Sequence, residues 1–176
     1  GEGSAVALGD FDGDGFADAA TGGGGYDGPG QADAGRVRVF RGGATGIEET
    51  VSWTSLGAAA GELYGASIAG NGDVNNDGYE DLLVGAPGHD AQRGRALLYL
   101  GTPSGPYPAP AWTSEGEDAG DGYGTAVAFV GDVNGDGFCD AAVGAPTRSE
   151  GGAENGKVYL YWGRYGGLSP EPTWTD

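Results

Sequence analysis

Three features of this 176-residue sequence predict an all-β fold of repeated four-stranded antiparallel sheets. A unit of about 60 residues occurs three times, each copy holds four short strand-like stretches, and glycine reaches 40 residues without a Gly-X-Y period. Glycine at that density serves tight turns, and many turns mean many short strands. No stretch carries a 3.6-residue apolar period with helix caps. Four strands in about 60 residues is the size of one β-propeller blade. The expected architecture is therefore β-propeller-type, with three blades in one domain over 1–176, divided near 1–56, 57–115 and 116–176. Propellers typically close with 4–8 blades, so three blades form either a partial propeller or part of an oligomeric one.

Each unit opens with an apolar run: Ala5 to Leu8, Ala66 to Ala69 and Ala126 to Val130. A nine-residue acidic bend follows, and then a second run: Ala19 to Thr21, Leu82 to Val84 and Ala141 to Val143. The third stretch alternates, in Arg36 to Phe40, Arg95 to Leu100 and Lys157 to Trp162. Period two places Val37 and Val39, then Ala96, Leu98 and Leu100, then Val158, Leu160 and Trp162 on one inward face. It leaves Arg36, Arg38, Arg95 and Lys157 on the solvent side. The segments around Trp53, Trp112 and Trp174 supply the fourth strands, and their recurrence assigns those rings to core or inter-blade packing.

The bends carry the chemistry. They read Asp10-Phe11-Asp12-Gly13-Asp14-Gly15-Phe16-Ala17-Asp18, Asp73-Val74-Asn75-Asn76-Asp77-Gly78-Tyr79-Glu80-Asp81 and Asp132-Val133-Asn134-Gly135-Asp136-Gly137-Phe138-Cys139-Asp140. Oxygen-bearing side chains fall at the first, third, fifth and ninth positions of all three. A hard cation such as Ca²⁺ takes 6–8 oxygens in a flexible shell, and two-residue spacing in a tight bend converges alternate carboxylates on one point. The seventh residue, Phe16, Tyr79 or Phe138, is expected to give its backbone carbonyl while its ring anchors the bend in the sheet. Gly15, Gly78 and Gly137 allow the sharp turn. An EF-hand is excluded, because it needs a bidentate Glu at the twelfth position, which here is Thr21, Val84 or Val143. Three copies with identical spacing also argue against acidic residues chosen for turn propensity alone. The expectation is three Ca²⁺ sites, with the four-carboxylate first bend binding tightest. Their ligands would be Asp10, Asp12, Asp14, Phe16 and Asp18; Asp73, Asn75, Asp77, Tyr79 and Asp81; and Asp132, Asn134, Asp136, Phe138 and Asp140.

Charge narrows the partners. Net charge is −18, and ten of the 26 acidic residues sit at those repeated ligand positions. Such a chain repels nucleic acid and anionic membranes, and no run of 18 apolar residues suggests membrane insertion. The sequence opens at Gly1-Glu2 with neither a methionine nor a signal peptide, which places any targeting segment outside it. Cys139 is the one cysteine, at a bend position that elsewhere holds Ala17 or Glu80, and is expected to face solvent without a role. His89 has no counterpart in the other units and reads as a solvated loop residue. With no Ser-His-Asp order, Cys-His pair or G-x-S-x-G motif, no enzymatic activity is expected.

Taken together, an aromatic-Gly pair (Tyr64-Gly65, Tyr123-Gly124), the acidic bend, Gly-Ala-Pro (Gly85 to Pro87, Gly144 to Pro146) and the alternating third strand resemble the FG-GAP repeat. That repeat builds the N-terminal β-propeller of integrin α chains and of related bacterial secreted proteins. The resemblance covers essentially the whole chain. It implies four-stranded blades with structural Ca²⁺ between the first two strands of each, and a role in adhesion or protein–protein interaction. The first unit departs from the pattern, with Glu2-Gly3 near the aromatic-Gly position and Gly22 to Gly25 in place of Gly-Ala-Pro. Integrin propellers resemble seven-bladed wheels, so the chain is read as a piece of a longer propeller or as half of a homodimer completing a six-bladed ring.

Two other readings stay open. A carbohydrate-binding propeller would stack sugars on Tyr26, Tyr107 and Tyr165, which lie in loops, and an accessory domain of a larger secreted enzyme fits a partial propeller. Protein or glycan ligands are expected at the blade loops. Extracellular calcium modules typically bind at 10⁻⁴–10⁻³ M, which favours a secreted or cell-surface location.

Overall fold

A computed structural model of the chain describes residues 3–150 and 153–176. The first sheet comprises β1 (Ala5–Gly9), β2 (Asp18–Gly23), β3 (Arg36–Phe40) and β4 (Val51–Leu56), hydrogen-bonded in chain order. The second repeats that order with β5 (Ser67–Gly72), β6 (Asp81–Ala86), β7 (Arg95–Tyr99) and β8 (Trp112–Glu115), with a single turn, α1 (His89–Gln92), between β6 and β7. In the third, β9 (Ala126–Gly131) and β10 (Asp140–Ala145) are followed by a short hairpin, β11 (Ser149–Glu150) and β12 (Ala153–Glu154). Then come β13 (Lys157–Tyr161), a second hairpin of β14 (Gly163–Arg164) and β15 (Gly167–Leu168), and the closing strand β16 (Trp174–Thr175). All pairings within the sheets are antiparallel. The chain thus folds as three four-stranded blades, as its repeats predict.

The core lies between blades rather than within them. Each sheet has two faces, and consecutive sheets stack. Val37 and Val39 of β3 share one buried cluster with Leu82, Val84, Leu97 and Tyr99 of the second blade. Ala96 and Leu98, on the opposite face of β7, share the other with Val143, Tyr159 and Tyr161 of the third. This is why Arg95-Ala-Leu-Leu-Tyr is buried nearly throughout while Arg36-Val-Arg-Val-Phe alternates. In the third blade the alternation falls the other way from the sequence expectation. Tyr159 and Tyr161 are buried, while Val158 and Trp162 are exposed. Periodicity shows that two faces differ, and the neighbouring blade decides which of them is covered.

Each joint uses the same parts. Trp53 of β4 meets Tyr99 edge-on at 5.1 Å, and Trp112 of β8 meets Tyr161 at 4.8 Å. The buried Tyr64 hydroxyl donates to Tyr99 at 2.8 Å, and Tyr123 donates to Tyr161 at 2.8 Å. Burial pushes both donor phenols upward, so they stay protonated as the bond requires. Here lies the structural reason for the aromatic-Gly pair: its hydroxyl needs a partner inside a dry joint.

Two of the basic residues that begin third strands, Arg95 and Lys157, are not solvent-side charges. Arg95 pairs with Glu62, whose side chain is fully buried and whose other oxygen accepts the Ala58 and Ala59 amides. In the next joint Asp121 accepts the Glu117 and Asp118 amides in the same manner. Lys157 donates to Glu117 at 2.8 Å, where Tyr159 and Arg148 also bond. A long cationic side chain crosses a joint because the loop closing the preceding blade presents an acid there. His89 shares this chemistry, with ring nitrogens 3.5 Å from Glu62 and 3.4 Å from Glu115.

Two predictions follow from these joints. Gly94 has φ +81°, and a Cβ there would collide with the Tyr123 backbone, whereas Gly120 has φ +88° and open space around it. The left-handed conformation alone costs a non-glycine residue about 1–2 kcal/mol. Gly94→Ala is therefore expected to destabilise well beyond Gly120→Ala in denaturant melts; equal losses would refute the close approach. The second concerns pH. Bonds from Lys157 and Tyr159, with Arg148 adding, hold the Glu117 carboxyl at about 2 against a smaller desolvation cost. That lies below the ordinary value of about 4.3, so the unfolded chain binds more protons. The contribution is complete above about pH 4.5 and lost as pH falls through about 2. Glu117→Gln should flatten that part of the acid limb of melting temperature against pH.

Candidate metal centres

Each acidic bend connects the first two strands of its blade, and the same hydrogen bonds shape all three. The first Asp accepts the amides of the fifth and sixth residues: Asp10 from Asp14 and Gly15, Asp73 from Asp77 and Gly78, Asp132 from Asp136 and Gly137. The fifth Asp accepts the seventh amide in every copy, at 2.8 to 3.1 Å. These bonds curl the bend and gather its carboxylates. In the first bend one oxygen each of Asp10, Asp12 and Asp14 lies within 4.8 Å of the others. In the other two, the third-position amide donates to the fifth carboxylate, Asn75 to Asp77 and Asn134 to Asp136, both at 2.8 Å.

The ninth residue is different in kind. Asp18, Asp81 and Asp140 are buried, and each carboxylate bridges two strands. One oxygen accepts the amide of the bend's second residue: Phe11 at 3.1 Å, Val74 at 2.8 Å, Val133 at 2.9 Å. The other accepts a glycine amide just beyond the third strand: Gly42 at 2.8 Å, Gly101 at 2.9 Å, Gly163 at 2.9 Å. Each oxygen keeps a second lone pair. Burial, more than anything else, raises Asp81 to about 7 against the pull of those two amides, and Asp73 and Asp77 add repulsion. Asp18 is raised too, again chiefly by burial, with Asp12 and Asp10 contributing. A bend of this kind carries more negative charge than its surroundings stabilise, and hard-oxygen donors in this number suit a divalent cation.

Several expectations for the bends are corrected by the geometry. In the first two bends the buried anchor is the second residue rather than the seventh, whereas in the third Val133 is exposed and the half-buried Phe138 ring stacks edge-on with Tyr165. Phe11 and Val74 are fully buried, while Phe16 is exposed. The eighth position does not simply face solvent: it ties its bend to the one before. Glu80 donates its amide to the Asp10 carbonyl at 3.1 Å and accepts the Asp10 amide at 2.7 Å, and Cys139 donates to the Asp73 carbonyl at 3.2 Å. The bends of successive blades therefore form a connected row. Asp12 also pairs with Arg41 at 3.2 Å, which offsets the extra carboxylate of the first bend. Arg41 escaped the sequence reading. The paired glycines Gly42, Gly101 and Gly163 had a visible signal, since each follows the last aromatic of the third strand by two residues. A Cβ at any of them would run into the carbonyl of the bend's eighth residue.

Three four-stranded blades, each with an acidic bend between its first two strands, define a repeat protein of the β-propeller class. The FG-GAP repeat matches residues 3–40, 65–99 and 123–161, and the chain belongs to that family. It is 37% identical over 148 residues to integrin alpha-4 of Xenopus laevis, covering 81% of this chain and 14% of that one. Similarity to integrin alpha-PS2 of Drosophila melanogaster is 35% over 184 residues, covering 97% and 12%. Integrin alpha-V of Gallus gallus is 34% identical over 180 residues, covering 97% and 16%. The chain thus spans 12 to 16% of the length of these relatives.

The two roles inside one bend are separable. Asp81→Ala strands two buried amides at about 1–3 kcal/mol each, so a loss of several kcal/mol is expected even with chelator present. Asp77 is exposed, and Asp77→Ala in chelator should cost under about 1 kcal/mol. Urea melts of both variants compare them; equal losses would contradict the structural role of the ninth carboxylate.

Proposed function

We propose that the chain is a calcium-stabilised, non-enzymatic interaction module of the integrin-α type, acting outside the cell in adhesion or protein–protein recognition. The observation that carries this reading is the threefold recurrence of one carboxylate cradle with one hydrogen-bond pattern. Asp10, Asp12, Asp14 and Asp18 would hold the first ion, Asp73, Asn75, Asp77 and Asp81 the second, and Asp132, Asn134, Asp136 and Asp140 the third. The carbonyls of Phe16, Tyr79 and Phe138 complete the sets. The bound cation supplies charge neutralisation; the ninth aspartates hold the strands at fixed separation, and the eighth residues link one cradle to the next. Three divalent ions bring the formal charge from −18 to −12. Partner surfaces are the loops at the blade ends, and two copies sharing a six-bladed ring belong to the same reading.

Each site adds about 2.7 kcal/mol at a hundredfold excess of ligand over its dissociation constant. Three such sites rival the roughly 5–15 kcal/mol stability of a whole domain. Excess EDTA is therefore expected to lower the melting temperature by roughly 15 °C or more. Melting curves indifferent to the chelator would overturn the proposal. A carbohydrate-binding reading is favoured by one feature, an apolar hollow of about 360 Å³ beside Asp77, lined by Leu100, Tyr107 and Pro110. Of its other candidate rings, Tyr26 carries the Arg36 guanidinium 3.8 Å above its face, and Tyr165 stacks edge-on with Phe138. Glycan-array binding abolished by Tyr107→Ala would promote that reading.

A further inference from the structure

Asparagine followed by glycine occurs three times, as Asn71-Gly72, Asn134-Gly135 and Asn155-Gly156. At such a pair the glycine nitrogen can attack the preceding side-chain amide, because no Cβ blocks its approach. The fold treats the three pairs differently. Gly72 is buried at the end of β5, paired with Asp81 and pressed against the Phe129 ring. Gly156 is half-buried, and its amide donates to the Arg148 carbonyl at 3.2 Å. Asn134 and Gly135 are both exposed in the third acidic bend, and nothing lies within 4 Å of where a Gly135 side chain would begin.

The bend also arranges the reacting groups. Asn134 Oδ1 accepts the Asp136 amide at 2.9 Å, so a donor already faces the oxygen that gains charge when Cγ is attacked. Gly135 donates its amide to Asp132 Oδ1 at 2.7 Å, which draws the proton away from the attacking nitrogen. The leaving nitrogen, Asn134 Nδ2, donates to Asp136 Oδ2 at 2.8 Å. The second bend supplies a comparison within the same chain. Asn75 makes the same two side-chain bonds, with the Asp77 amide at 3.2 Å and the Asp77 carboxylate at 2.8 Å. Its next residue is Asn76, whose side chain crowds the nitrogen that would attack. Both bends are left-handed at this position, φ +56° at Asn76 and +78° at Gly135, so they share a backbone course and differ in the Cβ.

We propose that Asn134 is a site of spontaneous deamidation, a self-modification that changes the donor set of the third bend. Gly135 N bonds to Asn134 Cγ and gives up its proton. The Cγ–Nδ2 bond breaks, and Nδ2 departs with a proton as ammonia, leaving a cyclic succinimide. Water then opens the ring at one carbonyl or the other. One opening puts an aspartate at position 134, the residue type that Asp12 supplies in the first bend, so the third bend gains a carboxylate. The bond from Nδ2 to Asp136 is then replaced by two facing carboxylates. Where Asp12 has Arg41 beside it, the aligned residue of the third blade is Trp162, which brings no compensating charge. The other opening routes the main chain through the side-chain carbons and breaks the two-residue spacing of the bend. The site rests on the geometry of the bend and does not require that it hold calcium.

Peptide mass spectrometry of the folded chain, incubated with EDTA, tests it. Asn134 should show the amide-to-acid mass change roughly tenfold faster than Asn71, Asn75 or Asn155, equivalent to about 1.4 kcal/mol in barrier. Part of the product should be methylated by an isoaspartyl methyltransferase. Gly135→Asn copies the second bend and is expected to slow Asn134 to the rate of Asn75. Asn76→Gly makes the reverse exchange and should raise Asn75 to the rate of Asn134. Equal rates at the three Asn-Gly pairs of the unmodified chain would overturn the proposal, since the dipeptide alone would then set the rate. An unchanged rate at Asn134 in Gly135→Asn, or at Asn75 in Asn76→Gly, would overturn the part given to the bend. Repeating the incubation in millimolar calcium reads the calcium proposal separately. An ion held through Asn134 Oδ1 should slow the reaction; an identical rate counts against that ion and leaves the modification site standing.

Discussion

A buried carboxylate at the corner of each blade organises the molecule. Asp18, Asp81 and Asp140 each accept one amide from the start of the acidic bend and one from the glycine that follows the third strand. Those amides have no sheet partner at the corner, and a neutral side chain would leave them unpaired in a dry setting. The bridge fixes three strands relative to one another and at the same time places the bend. The cost of burying a charge, visible in the upward shift of Asp81, is what a cation in the bend would offset. Fold and proposed ion site thus share one side chain.

The blades cohere through faces, not edges. A single four-stranded sheet buries too little apolar surface to stand alone, and here each blade finds its core only against its neighbour. The repeated aromatic contact, the tyrosine hydroxyl pair and the ion pairs from the third strand make each joint directional, so that one face of a blade fits only the opposite face of another.

Much was legible in the sequence because it rests on local rules. Bend positions, the four strands per unit and the Trp of each fourth strand follow from spacing and alternation; Trp53 and Trp112 pack into the joints as expected, whereas Trp174 is exposed. The misreadings share a cause. Arg95 and Lys157 read as solvent-facing because alternation within one strand cannot see the acid that the preceding loop brings across the joint. Tyr159 and Tyr161 were assigned away from the core because period two has no sign. The ring of Phe16 was expected to anchor its bend, yet the neighbouring blade meets Phe11 instead.

Sequence alone determined the repeat, the strands within it, the chemistry of the bends and the family, because turns, alternation and ligand spacing act over a few residues. Only the tertiary structure decided which face of each sheet is buried, that the ninth aspartates tie strands together, that Arg41 offsets Asp12, and that the bends link in a row. Those outcomes depend on residues brought together from 20 to 70 positions apart, and no local pattern encodes which distant partner arrives.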